Sequence, residues 1–110
     1  MDWLSEVQAE CEKAEKSRAI GNEGQARVCA RRAAGMAARQ YFIQRGERVT
    51  SSSAYELLNL VAEDVAAPAS LRRSAALLTL RVDEEFHLPA DVDLIAEARR
   101  FSEAVAGSKP

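Results

Sequence analysis

The 110-residue sequence has one histidine, two cysteines, three prolines and five glycines, and aromatic residues make up only 5% of it. Cys11, Cys29 and His87 fall short of the four ligands that close a structural zinc site, so no metal is expected and the cysteines read as reduced, buried thiols. Ser51, Ser52 and Ser53 lack the flanking glycines of a nucleophile elbow and a second histidine, which leaves capping and loop roles for them. No stretch alternates with period two long enough to form a strand, so no glycine-rich phosphate loop can follow one and no cofactor is expected. No uncharged apolar run approaches the roughly 18 residues of a membrane span. The opening MDWLSEVQAE has neither the basic nor the apolar region of a signal peptide, so the expectation is a cytoplasmic chain with no membrane association.

What remains is ordinary for a folded chain: 47% hydrophobic and 29% charged residues. That composition predicts one domain over 1–106 and a short polar tail over 107–110. The formal charge of −2 argues against wholesale attraction to nucleic acid or anionic lipid. The charge is unevenly spread. Residues 21–50 carry six arginines against two glutamates, whereas residues 51–70 carry three acids and no base.

Apolar spacing predicts an all-α fold, an antiparallel four-helix bundle with a short additional C-terminal helix. Leu4, Val7, Cys11 and Ala14 mark one face of a first helix from about Trp3 to Arg18, capped by Asp2. The glycines and asparagine of AIGNEG turn the chain into a second helix, which runs to about Gln44 and stops at Gly46. On it Ala26, Ala30, Ala33 and Ala37 form a small-residue face suited to close packing, while Arg27, Arg31 and Arg45 fall elsewhere, paired in part with Glu12 and Glu15. Ser53 and Glu56 have capping-box spacing before a third helix with Leu57, Leu58, Val61 and Val65 as its buried stripe. A fourth helix is predicted from Pro68 to near Phe86. Its Leu71, Ala75, Leu78 and Val82 share a face, and Leu77 and Leu80 make it apolar on several sides and therefore central. Asp91 or Asp93 caps a last helix through Leu94, Ala98, Phe101 and Val105.

Two sets of residues are candidates for chemistry. Arg31, Arg32 and Arg39 of the second helix are the side chains best suited to meet phosphate, because a guanidinium offers paired donors to phosphate oxygens. The plainer alternative makes them the solvated back of a helix. Arg81 and His87 can in principle cleave RNA without metal, the histidine moving a proton and the arginine stabilising charge on the phosphate. Six positions along one unbroken helix separate them by about 240°, so they converge only if the helix ends between them or a second subunit contributes. The adjacent carboxylates Asp83, Glu84 and Glu85 diverge by about 100° each and read as solvated. Trp3, Tyr41, Tyr55 and Phe101 fit helix contacts, with self-association as an alternative for some of them.

The order of features resembles the HEPN domain family of small antiparallel helical bundles. The resemblance lies in ARVCARRAAGMAARQYFIQRG, similar to the family's long second helix ending in glycine, in SSSAYELLNLV, placed like its third helix, and in LLTLRVDEEFHLPADVDLIAEARRF. It spans about residues 1–105. It implies either a metal-independent ribonuclease, in which Arg is followed after four to six residues by His as Arg81 and His87 are, or a non-catalytic accessory module that binds nucleotide, RNA or a partner protein. Val82 directly after the arginine and Leu88–Pro89 directly after the histidine depart from the nuclease pattern and favour the non-catalytic branch, while the third-helix histidine of many non-nuclease members is missing here too. The expectation is therefore a homodimeric binding module. Its alternatives are the ribonuclease and a helical-repeat-like scaffold that docks a peptide on the alanine-lined hairpin.

Overall fold

Among the described residues four of the five helices begin where a short polar side chain satisfies an amide that the helix itself leaves open, and the fourth in chain order begins at Pro68 without such a cap. Asp2 accepts from the Ser5 amide at 2.8 Å, Asn22 from Gln25 at 3.1 Å, Ser53 from Glu56 at 3.2 Å, and Asp93 from Ile95 and Ala96 at 3.1 and 3.3 Å. The computed structural model describes residues 2–81 and 92–108. It contains α1 (Trp3–Ala19), α2 (Glu23–Gln44), α3 (Ala54–Glu63), α4 (Ala69–Leu78) and α5 (Leu94–Gly107), with no strand among the described residues. α1 and α2 both end on a glycine in the left-handed region, Gly21 at φ 83° and Gly46 at φ 75°. In each case the glycine amide bonds back to one late carbonyl and the next amide to the carbonyl before it: Gly21 to Arg18 and Asn22 to Ser17, Gly46 to Ile43 and Glu47 to Phe42. A Cβ at such a φ would be strained, which is why glycine marks both stops.

α2 is the axis of the molecule, with α1, α3 and α5 packed against it, while α4 closes the ring between α3 and α5. The reason is the size of its side chains. Ala26, Ala30, Ala33, Ala34, Ala37 and Ala38 are fully buried, so three neighbouring helices approach one backbone closely. Gly35 permits the tightest approach: a Cβ there would stand 2.7 Å from Ala54 Cβ and 3.0 Å from Ala54 Cα, in the first turn of α3. Larger side chains fill the remaining volume from the surrounding helices, chiefly Leu58, Leu71, Leu78, Leu94 and Phe101, with Tyr41 at the far end of α2. The Tyr41 hydroxyl donates to Asp64 at 2.9 Å, and burial followed by this bond raises the phenol above its ordinary pKa. Cys11 and Cys29 are free and buried, and burial pushes the Cys11 thiol up. No helix among the described residues is long and apolar enough to cross a membrane.

Several expectations are corrected by the packing. α4 stops at Leu78 and not near Phe86, because Arg31 of α2 takes the Leu78 and Leu80 carbonyls and the Thr79 hydroxyl takes that of Ala76. Val82, assigned to its inner face, lies outside the described residues. Leu77 and Leu80 are only half-buried, so α2 and not α4 is central. Val65 is 88% exposed: Asp64 ends α3 by accepting the Ala66 amide at 2.9 Å, and that turn swings Val65 out. The last helix has 14 residues against 10 in each of α3 and α4, and its Leu94, Ala98, Phe101 and Val105 are all core. The alanine face of the α1–α2 hairpin is consumed by the chain's own core, which leaves it closed to a docking peptide. Among the described residues, Glu10 of α1 lies 3.7 Å from Arg32 of α2, and Glu15 pairs with Arg99 of α5 at 3.1 Å.

Two outcomes test this packing. An exposed helical glycine replaced by alanine would gain about 1 kcal/mol. Gly35→Ala should instead lose about 1–3 kcal/mol in urea unfolding, since the methyl meets backbone, and Ala54→Gly in the same chain should recover part of the loss. The second concerns Arg18, which joins α1 to the starts of α2 and α5 by pairing with Glu23 at 2.9 Å and Asp93 at 3.0 Å. Hydrogen bonds from Arg18 hold the Glu23 carboxyl below its ordinary value. Burial alone would raise Asp93, but the Ala96 amide and Arg18 outweigh it and lower that carboxyl too. Stabilisation from depressed carboxyls is complete above their unfolded values near pH 4 and is lost as pH falls through the folded ones. Solvent screening limits it to about 1 kcal/mol or less. Thermal melts of Arg18→Met should therefore lie slightly below wild type at neutral pH and converge with it toward about pH 3.

Candidate functional site

The loop from Glu47 to Ser53 carries the chain from the end of α2 back to the middle of its outer face, where Ser53 starts α3. Because Gly35 admits Ala54 so closely, the serines ahead of α3 and Tyr55 in its first turn face the arginines of α2 across a groove. One part of this groove, about 240 Å³, is lined by Arg32, Gly35, Met36, Arg39, Ser52, Ala54 and Leu57. An adjoining part of about 280 Å³ is lined by Val28, Arg31, Arg32, Ser52, Ala54 and Tyr55.

The three phosphate candidates do different jobs here. Arg31 is half-buried and donates through Nε to the Leu78 carbonyl at 3.0 Å, and through a second guanidinium nitrogen to the Leu80 carbonyl. Its guanidinium carbon also lies 5.2 Å from the centre of the Tyr55 ring. Burial depresses its pKa, opposed by Tyr55 and reinforced by the neighbouring positive charges of Arg27 and Arg81. Arg31 is thus a half-buried clamp on the end of α4, and its guanidinium serves two backbone carbonyls, unlike either the phosphate contact or the solvated helix back expected for it. Arg32 is different: its side chain is 54% exposed and only loosely paired with Glu10. Arg39 is exposed and reaches the Ser51 carbonyl at 3.5 Å, a weak bond. Arg32 and Arg39 therefore remain able to turn toward an anion in the groove.

Arg81 and His87 were expected as a pair. Arg81 is exposed and its guanidinium sits over the Tyr55 ring, 4.2 Å from the centroid, a cation–π contact at the edge of the same groove. His87 lies outside the described residues. The arrangement thus brings Arg31, Arg32, Arg39 and Arg81 around one short segment, Ser51 to Tyr55. The sequence pattern suggests a helix contact or a self-association surface for Tyr55 and a capping or loop role for Ser52, and a ligand groove for neither. The signal that could have found them is the position of both at the start of a helix opposite an arginine-rich one, which becomes informative once α2 and α3 are known to be neighbours. Among the described residues no three of His, Cys, Asp and Glu converge to hold a metal ion. Arginine guanidinia, serine hydroxyls and one aromatic ring can bind and orient a phosphate-bearing planar ligand, and none of them is a ready proton shuttle near neutral pH.

The chain matches no protein-family model, no curated protein and no solved structure.

The division of labour among the arginines is measurable without any ligand. Arg31→Met removes a charged donor from two carbonyls and should lower unfolding stability by about 2–3 kcal/mol in urea titrations. Arg32→Ala and Arg39→Ala, being exposed, should stay within about 0.5 kcal/mol of wild type. Equal effects at all three positions would contradict the assignment.

Proposed function

We propose that this protein is a non-catalytic, HEPN-like helical module that binds a phosphate-bearing ligand, of nucleotide or RNA type, in the groove between α2 and Ser51–Tyr55. The observation that carries this reading is the placement of Arg32 and Arg39 beside Ser52, with the aromatic ring of Tyr55 in the adjoining space. Phosphate recognition by paired guanidinium donors and stacking of a base on an aromatic ring are the two elements of sequence-independent nucleotide binding, and both lie in one groove. The net charge of −2 restricts the attraction to this local patch, so few phosphates are engaged. In this reading the free cysteines suit a cytoplasmic setting, and the exposed Ile43 and Leu60, which do not line the groove, are apolar side chains on which a second copy or partner protein would draw.

A second reading, the metal-independent ribonuclease, is favoured by one observation: Arg81, the arginine of the candidate pair, stands at the groove against Tyr55. In it His87 would supply the proton transfer.

Titration with adenosine monophosphate and oligoadenylate at low and moderate salt separates these readings. Binding should weaken with salt at a slope of about −0.7 per phosphate neutralised. It should fall at least about tenfold in the Arg32→Ala, Arg39→Ala double variant, as the loss of charge-assisted hydrogen bonds requires. An isotherm indifferent to both arginines would remove the phosphate groove. Cleavage of the oligonucleotide in chelator, lost in His87→Ala, would instead establish the ribonuclease.

A further inference from the structure

The groove is two spaces with unequal chemistry. Arg32, Ser52 and Ala54 belong to both, so the polar groups shared by the two spaces, Arg32 and Ser52, stand at their junction. The space beyond the junction toward Tyr55 contains a second arginine, but that arginine is Arg31, whose guanidinium is spent on the Leu78 and Leu80 carbonyls. It offers Val28 and the Tyr55 ring, with the exposed Arg81 guanidinium lying over that ring at the edge of the space and Arg31 5.2 Å from its centroid, an apolar and stacking surface. The space on the other side of the junction holds Arg39 together with Met36 and Leu57, a cation with an apolar floor. At about 240 and 280 Å³ each space is smaller than the roughly 300 Å³ at which small-molecule sites begin, and only the two joined reach that range.

Resting on the nucleotide-binding reading above, we infer that the groove takes a single strand of at least two consecutive nucleotides, with the linking phosphate at Arg32 and Ser52 and one base against the Tyr55–Arg81 stack. The second nucleotide lies along Met36 and Leu57, with its phosphate toward Arg39. A mononucleotide leaves one of the two spaces empty and forgoes either the stack or the second cation. A duplex keeps its bases paired and stacked on each other, so none can reach Tyr55. Both an aromatic ring and a guanidinium plane are stacking surfaces, so a base can lie on Arg81 or exchange with it at the ring.

Calorimetric titration of the full chain compares adenosine monophosphate, the dinucleotide pApA, oligoadenylate, an RNA duplex and a phosphoserine peptide. The expected result is that pApA binds roughly tenfold or more tightly than the monophosphate, the worth of one base–aromatic stack, and that the duplex and the peptide bind no better than the monophosphate. Tyr55→Phe should keep that advantage and Tyr55→Leu should abolish it. Should Tyr55→Leu not fold, upfield shifts of adenine protons on binding to the wild-type chain report the stack directly. Equal affinity for monophosphate and dinucleotide would overturn the two-nucleotide assignment while leaving the phosphate groove standing. A duplex or phosphopeptide that matches pApA would overturn it as well. Failure of every probe to bind at low salt would overturn the nucleotide-binding reading itself, and this inference with it.

Discussion

The close approach of neighbouring helices to α2 is the constraint from which the rest of the structure follows. Six buried alanines and Gly35 reduce the side-chain layer around that helix to little more than its backbone, and dispersion contacts between backbones replace those between long side chains. A central helix of this kind gains little from its own apolar surface. The area removed from water is supplied by the leucines, valines and phenylalanine that α3, α4 and α5 direct inward around it. The penalty glycine carries inside a helix is accepted at position 35 because the alternative is a collision with the backbone of α3.

That same approach builds the groove. With Ala54 seated on Gly35, the first turn of α3 cannot move away from α2, so Ser52 and Tyr55 are held opposite Arg32 and Arg39 by packing and not by loop conformation. Arg31 extends the effect to α4. Its guanidinium satisfies the carbonyl of Leu78, the last residue of α4, and that of Leu80 just beyond, and it does so from a half-buried position where an unpaired carbonyl or an unpaired charge would be costly. The end of α4 is fixed by α2 in consequence, and with it the point from which Arg81 reaches the Tyr55 ring.

Two polar contacts elsewhere join helices in the same way. Glu97 of α5 accepts from Ser74 of α4 at 2.9 Å and from Arg100 on its own helix, and Tyr41 reaches Asp64 across from α2 to the end of α3. Each of the two contacts between helices ties α4 or α3 to a longer neighbour, which compensates for their ten-residue length, too short to be stable in isolation. The guanidinium of Arg45, one turn further along at the C-terminal end of α2, packs 3.8 Å from the Tyr41 ring centre and covers the same buried phenol.

Local signals determined much of this architecture before any contact was known. Helix starts at Asp2, Asn22, Ser53 and Asp93 and stops at Gly21 and Gly46 depend on hydrogen bonds and dihedral angles within a few residues, and periodicity identified the buried faces of α2 and α5 for the same reason. Where neighbours in space decide, the residues alone were silent or misleading. The end of α4 depends on Arg31, 47 residues earlier, and the fate of Val65 on a turn closed by Asp64. Arg31, Arg32 and Arg39 share a residue type and one helix, yet one is a structural clamp and two face an open groove. Tertiary structure alone made that distinction, because a guanidinium binds whichever carbonyl or anion the fold brings within about 3 Å of it.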